Sequence, residues 1–177
     1  MAWPHGRARD GGVDEIPLDG RVAGRLFLCG KHAVGPDPDA LLERAGGTTI
    51  VCLNERHELA DRYPQFVDWL AANAPQRAVH HPIPDLTAPS ADELSTLVDD
   101  LYTRLEAGES LVVTCGAGIG RAGTVATAVL MRTGVVREQA LERVRAHRPM
   151  AGPESGPQSE VLLALEARWS ERPSASP

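Results

Sequence analysis

The sequence predicts an α/β layer fold, with a central, mostly parallel sheet flanked by helices. Three observations carry this. Short apolar runs of strand length recur at 24–30, 48–54, 77–83 and 110–115. Segments with helical spacing lie between them. Glycines and prolines punctuate the junctions. Strands that alternate with helices pair most simply as a parallel sheet.

Each element has its own warrant. "GRLFLCG" (24–30) and "TTIVCLN" (48–54) read as buried strands, and "DPDALLERAGG" between them as a short helix ended by glycines. In "PQFVDWLAANA" (64–74), Phe66, Val67, Trp69 and Leu70 fall at helical spacing. "RAVHHPI" (77–83) reads as a strand that the following prolines stop. "SADELSTLVDDLYTRLEAGE" (90–109) is the clearest helix. Ser90 and Glu93 form a capping box there, and Leu94, Leu97, Val98, Leu101 and Leu105 make one stripe. "SLVVTC" reads as a buried strand. Segments 122–134, 137–147 and 156–172 read as helices.

The bounds are those of one domain. A chain of 177 residues, 42% hydrophobic and 24% charged, can bury a core without staples. The folded part is expected over 21–171. Residues 1–20 and 172–177 are rich in Gly, Pro and polar residues and are expected to be mobile. No apolar run is long enough to span a membrane, and the first twenty residues lack a signal-like apolar segment. The net charge of −6 does not advertise nucleic-acid binding. Three cysteines, an odd number and widely spaced, argue for reduced thiols and a cytoplasmic protein. Arg greatly outnumbers Lys, as GC-rich bacterial coding gives. Cys29 and Cys52 lie in apolar runs and read as small buried hydrophobes.

Cys115 stands elsewhere, at the end of a predicted central strand, where ligands of open α/β sheets bind. Gly116, Ala117, Gly118, Ile119 and Gly120 follow, then Arg121. Three glycines in five positions let the backbone curl until several N–H groups face one point, a nest for an anion. The next helix adds the positive end of its dipole, and Arg121 a planar fork for two phosphate oxygens. The same field favours a thiolate at Cys115. Two other readings of "GAGIG" exist. A dinucleotide-binding turn normally opens the first strand–helix unit, and this one comes late. A purely structural turn explains the glycines but not the cysteine and arginine together.

"CGAGIGR" matches the Cys-x5-Arg signature of the cysteine-dependent protein tyrosine phosphatases. "VVTCGAGIGRAGT" resembles the small dual-specificity members, including relatives of cyclin-dependent kinase inhibitor-associated phosphatase, over about residues 20–165. The resemblance implies a phosphatase with no cofactor and no metal, acting through a phosphocysteine. Cys115 would be the nucleophile, with Arg121 and the backbone of Gly116, Ala117, Gly118, Ile119 and Gly120 holding phosphate. The family carries its general acid on a loop about thirty residues upstream. Asp85, in "HHPIPDLTAPS", lies thirty residues before Cys115. Its other reading is a turn aspartate. In "HRPMAGPESGPQSEV", Gln158 matches the glutamine that positions the hydrolytic water, or is an ordinary residue at a helix start.

Two positions depart from the family. Thr114 stands where histidine is usual, and Ala122 where a serine or threonine hydroxyl eases the departure of sulfur. Thr124 is out of register to replace it. Both changes predict a slow enzyme. They also keep open a second reading, a module that binds phosphorylated partners without turnover. The uncharged loop interior and acidic surface favour a phosphorylated protein substrate, with no nucleic acid, no membrane and a monomeric state. Lys31 and His32, and Arg56 and His57, follow strand ends. They either border the site or are solvated. His80 and His81 are adjacent on a strand and point to opposite faces, which argues against a metal pair.

Overall fold

The computed structural model describes residues 7–171. A five-stranded sheet runs in the order β1-β2-β5-β3-β4. The strands are β1 (Val13–Ile16), β2 (Leu26–Gly30), β3 (Thr49–Cys52), β4 (Ala78–His80) and β5 (Leu111–Cys115). All neighbours pair in parallel except β1, which runs antiparallel to β2. The mostly parallel α/β fold is the one the sequence predicts.

Side chains alternate across each strand, so the sheet feeds two cores. Leu26, Leu28, Val51, Leu53, Leu111, Val113 and Cys115 face one side. There they meet α5 (Ala91–Glu106), α6 (Gly120–Arg132), α7 (Arg137–His147) and α8 (Gly156–Ser170). Phe27, Cys29, Ile50, Cys52 and Val112 face the other. They meet α1 (Lys31–Val34), α2 (Pro38–Ala45), α3 (His57–Ala60) and α4 (Pro64–Asn73). Burial on both faces is why these strands read as continuous apolar runs. It also separates the thiols: Cys115 belongs to one face, Cys29 and Cys52 to the other.

The local signals act as expected. Ser90 caps α5, with Glu93 closing the capping box. Gly46, left-handed, ends α2. The helix α6 is buried from Gly120 to Met131, which suits its central place and its many small residues. It begins two residues earlier than the expected 122, because the turn after Cys115 passes straight into it.

One boundary is corrected. Residues 13–16, expected within a mobile N-terminal segment, form the edge strand β1, and Ile16 and Leu18 are buried. "VDEI" is short and mostly half-exposed, so its apolar signal is weak. The remainder of that expectation at residues 1–6, and the tail at 172–177, fall outside the described residues.

Candidate active site

β5 is the middle strand, and it delivers Cys115 to the carboxyl end of the sheet between β2 and β3. The turn beyond it is held from outside by its carbonyls. Lys31 N–H donates to Gly116 O at 3.1 Å. Arg148 donates to Ala117 O at 2.7 Å through Nη2 and to Gly118 O at 2.6 Å through Nε. Gly152 N–H donates to Ile119 O at 3.2 Å. A trans peptide points its C=O and N–H in opposite directions. Four consecutive carbonyls held outward therefore turn the N–H groups of residues 117–120 to the other, concave side. Gly118 permits this with φ of 70°, and a Cβ there would lie 2.3 Å from Cys29 O. The result is a concave row of N–H groups, continued by the start of α6, a geometry able to accept an anion.

Arg121 is on the first turn of α6 and is buried. Its Nη1 donates to Glu58 Oε2 at 2.7 Å and to Ile83 O at 2.8 Å. Its Nη2 reaches Glu58 Oε1 at 2.8 Å. Glu58 also accepts from the Glu55 N–H and from Asn54 Nδ2. Burial pushes the Glu58 carboxyl up, but Arg121, the Glu55 N–H and Asn54 outweigh it and hold it down at about 2. Burial in turn lowers Arg121, and the carboxylate of Glu58 with the charges of Cys115 and Asp85 more than restores it. Sequence reasoning missed Glu58. Its neighbours Arg56 and His57, the candidates in that segment, are both exposed. The available signal was a carboxylate one helical step past a strand end, opposite an arginine that needs a counter-charge.

Asp85 sits on the loop after β4, 70% exposed, with Oδ1 3.2 Å from Arg121 Nη2. Thr87 closes the turn behind it, donating from N–H and Oγ1 to Pro84 O. Gln158, buried at the start of α8, donates from Nε2 to Thr87 O at 3.2 Å and accepts from the Glu154 N–H at 2.8 Å. It joins the Asp85 loop to the segment behind the nest. The carboxyl of Glu154 lies against Gly120, at 2.1 Å from where a Cβ would be.

The two departures are visible in space. Thr114 is buried and faces the far side of the sheet, beside Cys29 in β2, and its hydroxyl donates to Cys115 O at 3.4 Å. Ala122 is fully buried. The Thr124 hydroxyl is committed to Gly120 O at 2.8 Å. Burial pushes Cys29 and Cys52 up to about 12, which suits the reading of both as small hydrophobes. Lys31 borders the site, its Nζ donating to Glu58 O at 3.0 Å. His32 turns to the Tyr63 hydroxyl instead. His80 bonds Asn54 O.

Cys115, the turn after it, Arg121 and Asp85 thus lie at the carboxyl end of the sheet, and known proteins share the frame. The family described as "Swiss Army Knife protein, DSP-PTPase phosphatase domain" matches residues 22–162. The crystal structure of Tk-PTP in the active form is 31% identical, with a TM-score of 0.68 over 87% of this chain and 97% of that one. Kinase-associated phosphatase, solved with its catalytic-site cysteine changed to serine, shares the fold at 23% identity and a TM-score of 0.73, over 92% of this chain and 97% of that one. The human tyrosine phosphatase-like serine/threonine/tyrosine-interacting protein shares it at 21% identity and a TM-score of 0.68, over 89% and 97%. No curated protein sequence matches significantly. By family and by fold, the chain belongs to the small dual-specificity phosphatases of the cysteine-dependent protein tyrosine phosphatase superfamily.

Proposed function

We propose that the protein hydrolyses phosphotyrosine, phosphoserine or phosphothreonine monoesters on protein substrates through a phosphocysteine. The observation that carries this is the approach of Asp85 to Arg121, 3.2 Å apart beside the nest that follows Cys115. The Cys115 thiolate attacks phosphorus, forming the S–P bond as the P–O bond breaks. Asp85 gives its proton to the leaving oxygen. The nest and Arg121 hold the three outer oxygens as charge builds on them. Water then attacks the phosphocysteine, Asp85 takes a proton from it, and the thiolate departs with phosphate released. Gln158 is the candidate to hold that water, for which its amide must leave Thr87 and Glu154. The chain works as a monomer in the cytoplasm.

Turnover is slow in this reading. Ala122 offers no hydroxyl to the departing sulfur, and Thr124 spends its own on Gly120. The same feature supports a second reading, a phosphate-reading module with little or no turnover. A phosphatase-like interacting protein among the structural neighbours lends it weight.

Hydrolysis of p-nitrophenyl phosphate against pH decides. Wild-type activity, abolished in Cys115→Ser and reduced in Asp85→Asn, is expected. Activity surviving Cys115→Ser overturns the phosphocysteine route. Phosphate binding without activity in any form favours the binding module.

A further inference from the structure

Among the described residues Arg148 is the largest fully buried side chain, 0% exposed, at the end of α7. Its guanidinium is a hub. Nε and Nη2 hold the Gly118 and Ala117 carbonyls of the nest. Nη1 reaches Leu28 O in β2 and Gly12 O, each at 3.3 Å. The same Nη1 meets Asp14 Oδ2 in β1 at 2.7 Å. Among these acceptors Asp14 supplies the full negative charge.

A buried guanidinium is costly without such a charge. Burial is the largest influence on Arg148 and pushes it down, and the negative charge of Asp10 opposes this only in part. The hub is tied to the turn after Cys115 through the Ala117 and Gly118 carbonyls. Asp14 is 18% exposed on an edge strand, and Arg7 pairs with the same Oδ2 that Arg148 meets. A purely structural edge strand does not need a carboxylate here. The nest needs one, because its carbonyls are held by a cation with few ways to be solvated.

We infer that Asp14 is a positioning residue for the phosphate-binding turn. It anchors the Arg148 fork, which keeps the Ala117 and Gly118 carbonyls outward. That in turn aims the N–H groups of Gly118 and Ile119 at the phosphate. The inference rests on the proposed reading of the turn as a phosphate cradle. It gives β1 a part in anion binding, although β1 touches no substrate.

Calorimetric titration with inorganic phosphate tests it without relying on turnover. The variants are Asp14→Ala, Asp14→Asn and, as a control on the same strand, Glu15→Ala, which removes only the surface partner of Arg25. Asp14→Ala weakens phosphate binding by about tenfold, the scale of one charge-assisted hydrogen bond. Asp14→Asn keeps an acceptor oxygen for Arg148 but not the charge, and its affinity falls between those of wild type and Asp14→Ala. Glu15→Ala binds like wild type. Where Asp14→Ala does not fold, Asp14→Ser replaces it under the same criterion. A folded Asp14→Ala that binds phosphate as wild type does overturns the inference, even if its melting temperature falls. Wild type that binds phosphate without hydrolysing an ester sinks the enzymatic reading alone. Wild type that binds no phosphate sinks both.

Discussion

Arg121 grips Glu58 with both terminal nitrogens, at 2.7 and 2.8 Å, across 63 residues of sequence. Arg121 gains a fixed plane from this pair. An arginine that had to order itself on each substrate would lose part of its value in the transition state.

Glu58→Gln keeps the size of the side chain and removes its charge. The kcat/KM for aryl phosphates is expected to fall by at least about tenfold, since misplacement of a catalytic group costs on that scale. The acid sensitivity changes as well. The folded carboxyl sits at about 2 against an ordinary 4.5, so ionised Glu58 favours the fold. Its contribution is full above the unfolded value and is lost as pH falls through about 2. Urea unfolding at pH 6 and pH 3 measures it. Wild type loses more stability between these points than Glu58→Gln does. An equal loss in both proteins refutes the assignment.

Asp85→Asn separates acid catalysis from binding. Protonation of the leaving group contributes roughly 10² to 10⁴ in rate. The loss should be large with phenyl phosphate, whose leaving group needs a proton, and smaller with p-nitrophenyl phosphate. Comparable losses with both esters show that Asp85 acts only by steadying Arg121, which it approaches at 3.2 Å.

Much of the frame was legible because it is local. β2, β3 and β5 are apolar on both faces, and α5 carries its own cap and stripe. β1 escaped because it is a four-residue edge strand in which only Ile16 is buried. α1 and α3 span four residues each, too few for a helical period to show. The site divides along the same line. Cys115 and Arg121 share one turn, so spacing announces them. Glu58 and Asp14 meet their partners, Arg121 and Arg148, only where distant segments come together, and no period or motif in one segment encodes that meeting.

Gly118 gives a sharp test of the cradle's geometry. In Gly118→Ala the new Cβ meets Cys29 O at 2.3 Å, and φ of 70° is adverse for any L side chain. The conformational cost alone is about 1–2 kcal/mol. With the collision added, a melting temperature lower by roughly 4–8 °C is expected. Phosphate affinity should fall with it, because relief requires the Gly118 carbonyl to swing off Arg148. A stable variant with wild-type phosphate affinity shows that the turn does not use this conformation to bind.

Ala122→Ser asks whether the missing hydroxyl limits the rate. Ala122 is fully buried one residue past Arg121, on the first turn of α6, in the same core as Cys115. A serine there adds one oxygen, and it needs a partner in so dry a place. The Cys115 sulfur is the intended one, and the carbonyl one turn back offers a competing bond like that of Thr124 to Gly120. If the hydroxyl finds sulfur, it stabilises the departing thiolate and speeds phosphocysteine breakdown. Rapid-quench kinetics with p-nitrophenyl phosphate should then show a burst of nitrophenol in wild type. In Ala122→Ser the burst shrinks and the steady rate rises several-fold. The phosphorylated Cys115 seen by mass spectrometry after acid quench should diminish in step. Wild type without burst or adduct, at brisk turnover, contradicts a slow second step. A burst unchanged by the serine instead shifts the limiting role to the water, and therefore to Gln158, whose amide is committed to Thr87 and Glu154.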